Sequence, residues 1–339
     1  MTEGRWVVGF DGGGSGTRCW VADLRGEVRG RAEGGAANPR AVGMDRALAE
    51  LGRVAEAALR QAGASPAEVV SVAAGLAGAV RPAVQQAVSE ALGKRFGRAR
   101  WVTVTHDARI ALYAATGGAP GVVLLAGTGS VAYGVDGEGR EARAGGWGYL
   151  LGDEGGGYDL GRRGLAAVLK AHDGTGPPTA LASVLLAALQ VEEPEAVLER
   201  VYPVPGESAA AGEARHVLAA LADAVLATAR QGDAVASNIV EEAACELAAL
   251  VTAVWRRLRL GDRLTVYAFG SLMDLQGGFL LDRVRRRLLA APGPERLELR
   301  RPAVAPVAGA VIMALQPVAG PARAAELLRR LDERSRRQV

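Results

Sequence analysis

Asp11 closes the apolar run Trp6–Phe10 and is followed by GGGSGTR (residues 12–18), with four glycines and two hydroxyls in seven positions. A glycine-dense turn lets backbone N–H groups close on an anion, and Gly13, Gly14, Ser15 and Thr17 are its candidate contacts. A carboxylate at the mouth of such a turn suits a hard cation. Asp11 would hold Mg²⁺ through water, because that ion gives up its hydration shell reluctantly; the alternative is an aspartate that caps the turn. The common nucleotide loops do not match, since no Gly-Lys-Ser/Thr opens a helix here and no spaced glycine triplet precedes one. A second turn, Gly127-Thr128-Gly129-Ser130, again follows directly on an apolar run. Two such turns, one in each half of the chain, would grip the β- and γ-phosphates of a nucleotide from both sides.

Asp107 lies just past the apolar run 101–105 and opens a helical pattern. Open α/β sheets present ligand groups at the C-terminal ends of parallel strands. Phosphoryl transfer to an alcohol needs a carboxylate there, to position the hydroxyl and take its proton. An ordinary N-cap is the alternative reading, and His106 reads as structural because it points to the other side of the strand. The segment GGWGYLLGDEGGGYDLG (145–161) packs eight glycines around Trp147, Asp153 and Glu154. An aromatic plane, carboxylates and open backbone amides suit a polyhydroxylated ligand, although a structural loop would also use them. No histidine stands near enough in sequence to complete a transition-metal set, and His172 and His216 read as surface residues.

These groups need elements to position them. Residues 5–10, 17–24 and 27–33 read as an antiparallel meander, followed by helices at 44–62 and 82–95, strands at 69–75 and 101–105, and a helix at 107–115. Strands at 121–126, 130–135 and 140–144 restart the pattern. GEVRGRAEGG (26–35) and GREARAGG (139–146) recur in the same order as the two turns, at an offset of about 115 residues, which points to tandem duplication. The expected fold is α/β with two similar domains, 1–117 and 118–339. Residues 158–260 are mainly helical, most clearly at 234–259, with Val204-Pro205-Gly206 as a loop. A strand at 264–269, a helix at 276–290, a strand at 296–300 and helices at 305–315 and 320–335 complete the chain. Arg283 and Arg285–Arg287 read as a solvated helix face.

Composition narrows the classes. The chain has 339 residues, 49% of them hydrophobic, and 40 basic residues face 37 acidic ones, so no nucleic-acid partner is implied. No stretch approaches the ~20 apolar residues that span a bilayer. Cys19 and Cys245 form neither a disulfide framework nor a structural zinc site, which makes a reducing cytoplasm the expected location.

The ordered set GFDGGGSGTR (9–18), GGAANP (34–39), LAG (76–78), THDA (105–108), VVLLAGTGS (122–130), GGWGYLLGDEGGG (145–157) and YAFGS (267–271) resembles the N-acetylglucosamine kinase branch of the BadF/BadG/BcrA/BcrD ATPase family. That resemblance implies the sugar kinase, Hsp70 and actin fold, two ribonuclease-H-like domains with an interdomain cleft for ATP and Mg²⁺. The second domain would carry the helical insertion, with the last helix packing back on the first. The resemblance makes Asp107 the base for a sugar 6-hydroxyl and Asn38 a partner of the ring hydroxyls. Gly146, Trp147, Gly148 and Asp153 would contact the sugar, with Ser130 and Val131 near its 2-substituent; Val131 stands where these kinases often carry asparagine. Thr17 or Ser15, with Thr128, would touch the phosphates, and Ala229, Gly270, Ser271 and Asp274 would surround the adenosine. A small-molecule sugar and a second copy of the chain are the implied partners. The superfamily also holds dehydratase-activating ATPases with cysteine-held iron–sulfur clusters and ROK kinases with a cysteine-rich zinc motif, and this chain has the cysteines for neither. A regulatory ATPase of the same fold, without a sugar acceptor, is the alternative function.

Overall fold

In the computed structural model, which describes residues 5–202, 210–291 and 293–336, the chain divides into two compact units. One takes the chain through residue 121 together with 302 onward, and the other spans 122–301. The first unit contains β1 (Trp6–Gly12), β2 (Thr17–Asp23), β3 (Val28–Gly34), α1 (Pro39–Val42), α2 (Met44–Ala62), β4 (Val69–Leu76), α3 (Pro82–Arg95), β5 (Trp101–Thr105) and α4 (Asp107–Thr116). The second contains β6 (Gly121–Ala126), β7 (Ser130–Val135), β8 (Glu141–Gly145) and the helices α5 (Gly157–His172), α6 (Leu181–Leu189), α7 (Val197–Val201), α8 (Ala210–Ala220), α9 (Ala222–Arg230) and α10 (Ala234–Leu258). It closes with β9 (Arg263–Phe269), α11 (Leu275–Ala290) and β10 (Arg296–Arg300), after which α12 (Pro306–Ala319) and α13 (Pro321–Arg336) belong to the first unit.

The sheets run β3-β2-β1-β4-β5 and β8-β7-β6-β9-β10, so the second repeats the strand order of the first. In each, an antiparallel hairpin is joined to parallel strands. This is the duplication that the paired glycine turns announce, and it is the fold the resemblance implies. Helices cover both faces of the first sheet, which is why β1 reads as continuously apolar. Val8 and Phe10 pack toward α2, whereas Val7 packs into the cluster built by α12 and α13. Two glycines let α12 sit low: a Cβ on Gly9 would lie 2.5 Å from the backbone nitrogen of Val311, and one on Gly309 would lie 1.8 Å from the carbonyl oxygen of Ile110 in α4.

The sequence reading placed 118–339 in the second domain with only the last helix packing back on the first; α12 as well as α13 belongs to the first unit, because their apolar faces complete the cover of β1 and β4. The helix read at 305–315 continues through Pro317 to Ala319. The helix read at 276–290 becomes regular only past Gln276, Gly277 and Gly278, all of which have left-handed φ angles. Val204-Pro205-Gly206 lies outside the described residues. Among the described residues no helix is long and apolar enough to cross a membrane.

Candidate functional site

The C-terminal ends of β1, β4 and β5 bring one group of sequence-predicted residues together. Asp11 lies opposite Arg18 of β2 and Gly75 of β4 in register, and Gly75 in turn pairs with Thr105 of β5, two residues before Asp107. Burial, and after it the negative charge of Asp107, push the Asp11 carboxyl up to about 7, with Arg18 opposing both. Two carboxylates close enough to feel each other, at the mouth of a turn of backbone amides, form a donor set suited to a hydrated divalent cation. His106 is the N-cap of α4, its Nδ1 accepting from the Arg109 N–H at 3.3 Å. Asp107 therefore sits at the first helical position instead of the cap, and its Oδ1 accepts from the Ala108 N–H at 2.9 Å.

The first glycine turn is tied to its surroundings by backbone bonds. Gly13 donates to Gly16, Ala37 donates to Gly13, and Ala77 donates to Gly12. Asn38 caps α1 by accepting from the Arg40 N–H at 3.0 Å. Its Oδ1 would lie 2.3 Å from a Cβ on Gly78, a position with φ +82°, so only glycine lets the asparagine reach the end of β4. The two hydroxyls of the turn differ. Thr17 is buried and donates to the Gly35 carbonyl at 2.7 Å, whereas Ser15 is exposed at the tip.

In the second unit the turn 127–130 is stitched to the glycine-rich segment 145–157. Gly146 donates to Ser130, Gly157 to Gly127 and Tyr158 to Thr128. The Ser130 hydroxyl, buried, donates to the Glu154 carbonyl at 2.6 Å. Asp153 is the central staple. Its φ of 62° is left-handed, a region that aspartate enters more readily than most non-glycine residues, and its buried carboxylate accepts from the Ser130 and Gly148 N–H groups and faces Arg215 of α8 at 3.4 Å. Burial raises its pKa against the lowering by Arg215. A Cβ on Gly129 would lie 2.5 Å from that carboxyl group, which explains the glycine. Trp147 is 71% exposed with Arg143 over its ring, and Val131 is half-buried beside Gly146.

The residues expected around an adenosine also gather in this unit. Gly270, with φ +103°, passes so close to the end of β6 that a Cβ would lie 2.1 Å from the Ala126 carbonyl oxygen. Ser271 is exposed, and the exposed Asp274 pairs with Arg301. Arg230, next to the buried Ala229, donates to the Gln276 carbonyl at 3.1 Å and so ties α9 to the start of α11. His172 pairs with Glu195 at the surface and His216 is exposed. Sequence reasoning missed Arg18 and Arg215. Arg18 was within reach, since a meander over 5–24 sets it against Asp11; Arg215 lies in the helical insertion with no local signal.

Residues 8–314 match the BadF/BadG/BcrA/BcrD ATPase family. An N-acetylmuramic acid/N-acetylglucosamine kinase of Clostridium acetobutylicum is 31% identical over 84% of this chain and 90% of its own length. An N-acetyl-D-glucosamine kinase of Dictyostelium discoideum is 30% identical over 91% of this chain and 97% of its own. Among solved structures, a candidate N-acetylglucosamine kinase from Chromobacterium violaceum superimposes with a TM-score of 0.71 at 26% identity, covering 93% of this chain and all of that one.

Proposed function

Because the chain belongs to the BadF/BadG/BcrA/BcrD ATPase family, we propose that it is an ATP-dependent amino-sugar kinase, transferring the γ-phosphate of ATP to the 6-hydroxyl of N-acetylglucosamine or a close relative. One observation carries this reading: Asp11 at the end of β1 and Asp107 just past the end of β5, with β4 between them, stand beside a turn of open amides, near enough for one charge to shift the other's pKa. The amino-sugar kinases at about 30% identity support the acceptor class.

Asp107 orients the acceptor hydroxyl and takes its proton as oxygen attacks phosphorus; the bond from phosphorus to the bridging oxygen breaks, and ADP leaves with the electron pair. Asp11 would hold Mg²⁺, whose charge offsets that of the phosphates when bound. Ser15 and Thr128, with the amides of Gly13 and Gly14, contact phosphate. The exposure of Ser15 favours it over Thr17, whose hydroxyl is spent inside the fold. Gly270, Ser271, Asp274 and the Ala229 backbone are assigned to the adenosine. Asn38, Trp147 and the amides of Gly146 and Gly148 take the sugar, and Val131 borders its 2-substituent. Ser130 and Asp153, both buried and bonded within the loop, shape that surface. The enzyme is proposed to work in the cytoplasm, where its free cysteines suit reducing conditions, and as a homodimer, which light scattering would test.

The first measurement is ADP release from Mg-ATP with each of a panel of hexoses and amino sugars, with mass spectrometry of the product. Strong stimulation by one amino sugar, with phosphate found on its 6-oxygen, is the expected result. A slow release that no sugar changes would instead favour a regulatory ATPase.

A further inference from the structure

A cavity of about 390 Å³ opens on the first unit, lined by Arg18, Trp20, Arg31, Ala32, Glu33 and Ala305, a set that includes neither Asp11 nor Asp107. The register explains how it forms. Trp20 lies opposite Arg31, and Arg18 opposite Glu33, so these four side chains share one face of the β2–β3 hairpin. Arg18 also lies opposite Asp11, which puts Asp11 on that face, one strand further in. The helix α12 packs over β1 and β4, and Ala305, its N-cap, lies at the cavity.

The cavity is chemically uneven. Arg18 donates to Glu33 at 3.1 Å in an ion pair whose side chains are both largely exposed. Arg31 lies over the Trp20 ring, 4.6 Å from its centroid, and makes no ion pair among the described residues. One carboxylate thus faces two guanidiniums. The surplus positive charge is held over an aromatic plane, its backbone pinned where the Arg31 N–H donates to Gln61. The volume falls within the ~300–1,000 Å³ of small-ligand sites. Guanidiniums favour the oxygens of a phosphate, the indole offers an apolar face to a ring, and Glu33 offers acceptors to hydroxyls.

We propose that this cavity binds a phosphorylated sugar, the phosphate on Arg31 and Arg18 and the sugar against Trp20 and Glu33, as a site separate from the one that performs transfer. The preference for a sugar over other phosphate esters rests on the kinase reading. If that reading holds, the ligand is the class of molecule the enzyme makes.

Isothermal titration of the full chain, without ATP or Mg²⁺, tests the site apart from catalysis. The probes are N-acetylglucosamine 6-phosphate, inorganic phosphate and N-acetylglucosamine, each against wild type, Arg31→Ala and Arg31→Lys. The expected result is binding of the sugar phosphate that is weakened about tenfold or more in Arg31→Ala, in keeping with loss of a charge-assisted hydrogen bond, and is partly restored in Arg31→Lys. No binding of the phosphate ester, or binding that Arg31→Ala leaves unchanged, overturns the proposal. Inorganic phosphate binding as tightly as the ester overturns its sugar component. Failure of the kinase reading would show separately, as sugar-independent ADP release, and would leave a positive titration standing.

Discussion

At the scale of single residues, the site divides into groups that face outward and groups that hold the others still. Asp107 belongs to the first kind. Asp107→Asn should cut sugar-dependent turnover by about 10²–10⁴-fold, the range for losing a general base, with ATP affinity, read by titration with a non-hydrolysable analogue, nearly unchanged. Ser15 and Thr17 separate on the same ground. Ser15→Ala should raise the KM for ATP by about 2- to 10-fold, the worth of one hydrogen bond. Thr17→Val should instead lower the melting temperature, because it leaves the Gly35 carbonyl without its donor. Asp153 was legible as a site residue but not as a buried one. Its role depends on Arg215, which lies 62 positions away and which no local pattern announces. Asp11 was legible because a carboxylate after a buried strand and before a glycine turn has few other uses; its pairing with Asp107 required knowing that β1, β4 and β5 are neighbours.

At the scale of elements, nearly every strand and helix near the site could be read from periodicity and glycine punctuation, since each strand end there is also a turn. What failed did so for particular reasons. Pro317 looks like a stop, yet the helix α12 carries on around it. The Gly277-Gly278 pair lies inside an apolar helical pattern but takes left-handed angles. Helices α12 and α4 pack closely at Gly309. Gly309→Ala would drive a methyl group to 1.8 Å from the Ile110 carbonyl oxygen, and overpacking of this kind costs about 1–3 kcal/mol or more. Urea unfolding should show that loss. The two cysteines provide a second check. Cys19 is buried in β2 and its thiol is pushed up by burial, whereas Cys245 is exposed on α10. A maleimide should label one thiol per native chain at neutral pH and both after denaturation.

At the scale of the whole molecule, the duplicated strand order could be inferred from two short matches, and the return of the last helix only from the family resemblance; that α12 returns with it could not, because its sequence says only that it is apolar. The second unit is one continuous stretch of chain, 122–301, whereas the first is assembled from both ends. A fragment covering 122–301 should therefore give a single cooperative melt by circular dichroism. A fragment ending at residue 121 should not, until a peptide covering 302–339 is supplied. The same arrangement sets an order of events during synthesis. When the ribosome has finished the first sheet, the face carrying Val7, Ala22 and Ala73 has no cover, because α12 has not been made. At ~5–20 residues per second the wait is on the order of ten seconds or more. The unit whose strands are translated first is thus the last to become native, and during that interval a nascent-chain chaperone would find its binding surface on the first sheet.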